Sequence, residues 1–127
     1  MLSGVCIGTN DLEAASAFYD KVMATIGMTR TVSEPNEIGY AGSDEKTMFF
    51  VLTPYNEKPA CVGNGSQVML YAADEAGVKA FHAMVLQCGG TDDGAPGPRN
   101  YHPGYYGAYA RDLDGNKLHV AVELADD

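Results

Sequence analysis

Apolar residues recur along this chain in two periods, and the succession of periods occurs twice. Near the N-terminus Val5 and Ile7 alternate with Gly4, Cys6 and Gly8 in the two-residue rhythm of a short strand. Leu12, Ala15, Tyr19, Val22 and Ile26 then follow at three- and four-residue spacing up to Gly27, which predicts a helix with Asn10 as N-cap and Glu13 three residues further on. In mid-chain Val68 and Leu70 alternate with Gln67, Met69 and Tyr71. A second helix starts at Asp74, places Val78, Phe81, Val85 and Leu86 on one face, and stops at Gly89-Gly90. Stretches rich in Val, Phe and Tyr at 37–41, 47–53, 105–111 and 117–123 predict strands. Asp114-Gly115-Asn116 joins the last two as a hairpin turn, because these residue types tolerate positive φ.

The two halves are copies. An offset of 63 residues lays Asp11 on Asp74, Ala17 on Ala80, Phe18 on Phe81, Val22 on Val85, Gly27 on Gly90 and Val5 on Val68. The fold expected is therefore α+β, with two tandem βαββ(β) modules at about 1–60 and 64–127. Neither is large enough to be stable alone, so they should share one domain. Residues 89–107 hold six Gly and three Pro in nineteen residues, and predict an extra loop long enough to be functional.

Composition narrows the partners. With 8 Lys+Arg against 17 Asp+Glu the net charge is −9, distributed evenly between the halves. Such a domain lacks the basic footprint that grips nucleic acid or an anionic membrane surface. A hydrophobic content of 46% argues for a globular core, and no apolar run approaches the ~20 residues that span a bilayer. The first eleven residues contain no Lys or Arg and do not read as a secretory signal, so a cytoplasmic location is expected. Cys6, Cys61 and Cys88 are odd in number and far apart, as expected of buried reduced thiols rather than disulfides or a zinc knuckle. The glycine-rich segment follows a helix and matches no phosphate-binding loop, and no G-x-S-x-G elbow is present.

Asn10-Asp11-Leu12-Glu13 with Ala17-Phe18-Tyr19 and their mid-chain copy resemble the vicinal oxygen chelate superfamily. So do Gly94-Ala95-Pro96-Gly97-Pro98-Arg99, Tyr101 to Gly107 and Arg111-Asp112-Leu113-Asp114-Gly115-Asn116. That superfamily contains lactoylglutathione lyases, extradiol dioxygenases and bleomycin-resistance proteins. The resemblance covers essentially the whole chain. It implies the glyoxalase/bleomycin-resistance fold, with curved mixed sheets around a concave pocket that is commonly completed in a homodimer. It does not fix an activity, because members share a scaffold and differ in chemistry.

Metal-using members of that family place a His on the first strand of each module and a carboxylate on the last. By the resemblance those positions fall here on Gly4, Gln67, Phe49 and His119, a set with one strong ligand where about three are needed. A conventional metal site is therefore not expected. A divalent metal would need a site rebuilt from Gln67, His119 and Glu123. Strand alternation puts Val5, Ile7, Phe50, Leu52, Val68, Leu70, Leu118 and Val120 against the helices, and turns Gly4, Cys6, Phe49, Val51, Gln67, Met69, Tyr71, His119 and Ala121 towards the pocket.

The candidate pocket residues are Cys6, Phe49, Gln67, Met69, Tyr71, Arg99, Tyr101, His102, Tyr105 and His119, with Arg99 to Tyr106 forming either a lid or a small loop core. His82 reads as a packing residue. Two functions remain open. One is the binding of a small organic molecule without metal or other cofactor, for which the negative charge suits a neutral or cationic ligand. The other is a metal-dependent lyase, isomerase or dioxygenase. Whether the chain is an enzyme is thus undecided by its residues.

Overall fold

In a computed structural model of the chain, which describes residues 1–124, ten elements form two four-stranded mixed sheets with one helix each. The first half comprises β1 (Gly4–Gly8), α1 (Leu12–Ala24), β2 (Thr29–Glu34), β3 (Glu37–Ala41) and β4 (Met48–Leu52). The second comprises β5 (Val68–Tyr71), α2 (Glu75–Gln87), β6 (Thr91–Pro98), β7 (Tyr105–Arg111) and β8 (Lys117–Glu123). Strand orders are β1-β4-β3-β2 and β5-β8-β7-β6. In each sheet the first strand runs parallel to the last, and the other pairings are antiparallel. The sheets are open, not closed into a barrel. α1 packs on β2, β3 and β4, α2 packs on β6, β7 and β8, and the two helices touch. A single apolar cluster runs through both halves, from Phe18, Val22 and Phe49 to Phe81, Leu118 and Val120.

Both helices begin on an aspartate. Asp11 accepts from the Ala14 amide at 3.0 Å and Asp74 from the Gly77 amide at 2.8 Å, each satisfying one of the free donors of a first turn. Asn10, expected as the first cap, instead holds the 53–67 connection by hydrogen bonds in both directions with Ala60. Tyr19 and Phe18 are buried as their spacing requires, whereas Leu86 is exposed.

Hydrogen bonds from the β7–β8 turn tie the halves together. Asp112, almost fully buried, accepts from the Tyr19 hydroxyl at 2.5 Å and from the amides of Asp114 and Asn116. Asn116 donates to the Gly8 carbonyl, and Thr9 donates to Asp114 at 2.6 Å. The turn read from Asp114-Gly115-Asn116 is thus also the clasp between modules, and Gly115 supplies its positive φ of 90°.

Two expectations are corrected, and one strand is added. Residues 91–98, expected as part of a long loop, form β6. It is an edge strand, which tolerates Pro96 and Pro98 because one side needs no partner, and two irregularities interrupt its pairing with β7. β2 was also invisible, since its polar residues are nearly all exposed. The cysteines are free, but Cys6 and Cys61 are exposed rather than buried.

Candidate functional site

Each sheet turns one face to its helix and leaves the other open. On β8, Leu118 and Val120 enter the core while His119, Ala121 and Glu123 occupy the open face. Register then assembles a surface: Met69 and Tyr109 flank His119, Tyr71 and Gly107 flank Ala121, and Tyr105 lies opposite Glu123. The two small residues, Gly107 and Ala121, leave a depression between larger neighbours. Gly107 has a steric reason as well, since a Cβ there would lie 2.9 Å from His119 Cε1 and 3.1 Å from the Val120 carbonyl oxygen.

His119 is 1% exposed and held on every side. Nδ1 lies 3.0 Å from the Ala108 carbonyl oxygen, which can only accept, so Nδ1 carries the proton. Nε2 is then the acceptor for the Tyr105 hydroxyl at 2.7 Å. Tyr109 stacks on one ring face at a centroid distance of 4.1 Å, and Tyr105 lies nearly parallel at 5.8 Å. Burial pushes the His119 pKa below its usual value, the Ala108 bond opposes this, and the charges of Arg99 and Lys117 reinforce it. The imidazole is therefore neutral, in one tautomer, with both nitrogens engaged.

Around it the phenols keep their protons. Burial and the hydrogen bond with Tyr101 raise Tyr109 to about 12. Burial, then the neighbouring Tyr101 and Glu123, raise Tyr105. Tyr71 donates to Glu123 Oε2 at 2.7 Å, which raises the phenol and lowers the carboxyl. His102 Nε2 meets Glu123 Oε1 at 2.6 Å, so Glu123 fastens residues 99–104 to the strand end. The hollow enclosed by Met69, Leu70, Tyr71, Tyr105, His119, Ala121 and Glu123 measures about 300 Å³. A larger hollow of about 490 Å³ is lined by the 99–104 loop, with Arg99, His102 and Tyr105 among its walls, together with Glu75 and Leu124, but it contains neither His119 nor the Tyr71–Glu123 pair.

The candidate residues separate. Met69, Tyr71, Tyr105 and His119 line this hollow, while Tyr101 and His102 pack edge-on against Tyr105 and His102 lines the larger hollow. Arg99 stands beside it, with its guanidinium 5.5 Å from the Tyr109 ring centre and hydrogen-bonded to the carbonyls of Ala95, Gly97 and Pro98. Cys6 and Gln67 line a different groove, of about 230 Å³, between β1 and β5. Phe49 is a correction. It is 1% exposed and packs with its ring centre 5.2 Å from that of Tyr19, beneath α1, and Val51 on the same strand face is buried in the same core. Because β4 runs parallel to β1 with Cys6 opposite Phe50, the open-face position is Phe50. The pairing of Cys6 with Phe50 in the first sheet matches that of Met69 with His119 in the second. Tyr109 and Gly107 were not among the candidates, although Tyr105-Gly107-Tyr109 alternates on the strand that faces His119.

The donors available do not form a site for one ion. His119 and Glu123 are four residues apart on one strand, about 13 Å at ~3.3 Å per residue, and Gln67 is further still from Glu123. Among the described residues no group of three or more His, Cys, Asp and Glu side chains is placed to hold a metal. His82, buried on α2, pairs with Asp92 at 2.8 Å and takes no part.

No family model and no curated protein matches the chain. Solved structures do. It is similar to a glyoxalase/bleomycin resistance protein from Albidiferax ferrireducens T118, at 37% identity and a TM-score of 0.87 over 95% of this chain and 97% of that one. A glyoxalase/bleomycin resistance protein/dioxygenase family enzyme from Burkholderia phytofirmans PsJN shares the fold at 20% identity and TM-score 0.74, covering 96% and 98%. A lactoylglutathione lyase from Agrobacterium tumefaciens does so at 22% and 0.67, covering 95% and 92%.

Proposed function

The chain belongs to the glyoxalase/bleomycin resistance family, and from that premise we propose that it binds a small organic molecule, without a conventional metal site, in the hollow over His119. One observation carries this reading. The residue at the family's last ligand position is a histidine whose two nitrogens already serve Ala108 and Tyr105 and whose ring is stacked on tyrosines. Such a group makes a rigid aromatic floor, and it would have to give up the Tyr105 bond to coordinate an ion. Tyrosine rings, a methionine and an alanine supply apolar area, while a few fixed polar atoms supply orientation, which is the usual make-up of a small-molecule site. Met69, Tyr71 and Tyr101 are 66%, 70% and 62% exposed, and a second copy of the chain is the partner expected to cover them.

The alternative, a metal-dependent lyase, isomerase or dioxygenase of lactoylglutathione-lyase type, requires Gln67, His119 and Glu123 to converge. Thermal denaturation separates the two. In EDTA, small aromatic compounds should raise the melting temperature of the native chain but not of His119→Ala; in separate chelator-free samples, Ni, Zn, Mn or Fe(II) at micromolar concentration should leave the melting temperature of the native chain unchanged. Stoichiometric metal binding lost in His119→Ala would overturn the proposal in favour of the enzyme.

A further inference from the structure

The direction of the hydrogen bonds in the hollow specifies its ligand further. Tyr105 donates its proton to His119 Nε2, because Nδ1 is committed as a donor to the Ala108 carbonyl. Tyr71 donates its proton to Glu123 Oε2. His102 Nε2 faces Glu123 Oε1. Each hydroxyl lining the space therefore has its proton committed and keeps oxygen lone-pair capacity to accept, and the carboxylate, in contact with Tyr71 and His102, retains further acceptor capacity. Tyr71 and Tyr105 add ring faces with their negative quadrupole, and Met69 adds a polarisable sulfur. Arg99 and Lys117 stand over the Tyr109 ring and their charges reach His119, but neither lines the hollow: Arg99 is bonded to backbone carbonyls, and Lys117, like Arg111, pairs with Asp93. Among the described residues, no side-chain donor of the lining is left aimed into the hollow.

We infer that the hollow selects an organic ammonium ion, a protonated amine carried on a flat apolar body, and rejects carboxylates of the same shape. The inference rests on the proposed binding function and goes beyond it. An ammonium brings three donors to a surface of acceptors formed by Tyr71, Tyr105 and Glu123, and its body covers Met69, Ala121 and the Tyr105–His119 floor. A carboxylate brings only acceptors, and would meet Glu123 and two phenol oxygens with no proton between them. His102 stands on the far carboxylate oxygen, so the preference arises from hydrogen-bond direction at Oε2 and the two phenols, not from the net charge of −9.

The test compares three probes of one shape, benzylamine, benzyl alcohol and benzoate, titrated at pH 7 into the native chain while methyl NMR of Met69 is recorded. Benzylamine should bind at least tenfold more tightly than benzoate, with benzyl alcohol between them. Glu123→Gln should cost benzylamine about tenfold and benzyl alcohol less than threefold. Tyr105→Phe, which retains the ring, should weaken benzylamine severalfold. Benzoate binding as well as benzylamine, or a preference untouched by both substitutions, would overturn the inference while leaving the binding function standing. Absence of any Met69 response to all three probes would overturn both.

Discussion

Removing one oxygen from Tyr19 tests whether the two halves are coupled through Asp112. The Tyr19 ring lies in the core, and its hydroxyl donates to Asp112 Oδ2 at 2.5 Å across 93 residues of sequence. A buried hydrogen bond to a carboxylate contributes roughly 1.5–3 kcal/mol. After Tyr19→Phe, Asp112 still accepts from Asn116 and from the amides of Asp114 and Asn116, so the carboxylate is not stranded and the loss should be near the middle of that range, about 2 kcal/mol. For a domain of this size that corresponds to a fall of roughly 6–10 °C in melting temperature. Tyr40→Phe is the matched control. Its ring is as buried as that of Tyr19, but its hydroxyl reaches, at 2.7 Å, an Asp20 carboxylate that is 43% exposed and also bound by Arg30, so Asp20 keeps a partner and water and the removal should cost less than about 1 kcal/mol. Urea denaturation of both variants, completed as a double-mutant cycle with Asp112→Asn, measures the coupling. A Tyr19→Phe loss no larger than the control's, or additive effects with Asp112→Asn, would refute the clasp.

Three further outcomes follow from the same geometry. Gly107→Ala places a methyl against His119 Cε1 and the Val120 carbonyl, and should cost about 1–3 kcal/mol in urea denaturation while displacing the His119 ring resonances. Burial holds the His119 pKa below its unfolded value of about 6.5, so the folded state resists protonation more than the unfolded chain does. This stability is fully present above about pH 6.5 and is lost as pH falls towards the folded pKa. The difference between native and His119→Gln urea midpoints should accordingly narrow from pH 7.5 to pH 5.5, and a constant difference would contradict the assignment. Nitrogen-detected NMR at pH 7 should show protonated Nδ1 and bare Nε2 at His119, and Tyr105→Phe should remove the hydrogen-bond shift at Nε2.

Much of this was legible in the residues. The tandem modules follow from the 63-residue offset, because hydrophobic periodicity survives divergence better than identity does, although the first cap is Asp11 and not Asn10. The second open face was readable because Leu118 and Val120 bracket His119 in strict alternation. The first was not. Met48 to Leu52 is apolar throughout, so the two faces of β4 cannot be told apart by polarity, and only its pairing with β1 shows that Phe49 goes inward and Phe50 outward. β6 escaped for the opposite reason: its glycines and prolines give no strand signal, and its pairing with β7 supplies the order. The separation of Cys6 and Gln67 from the His119 hollow depends on how two sheet edges meet, a relation between modules that neither repeat encodes alone.

The measurement that bears most directly on the binding function is methyl NMR of methionine-labelled protein during titration with benzylamine, with and without EDTA. Met69 lies on the open face of the second sheet next to His119, and Met48 reports the first sheet. The account predicts a saturable shift of the Met69 methyl, unchanged by chelator and abolished by His119→Ala, with Met48 unmoved. A response centred on Met48, or one at Met69 that disappears with EDTA, would contradict it.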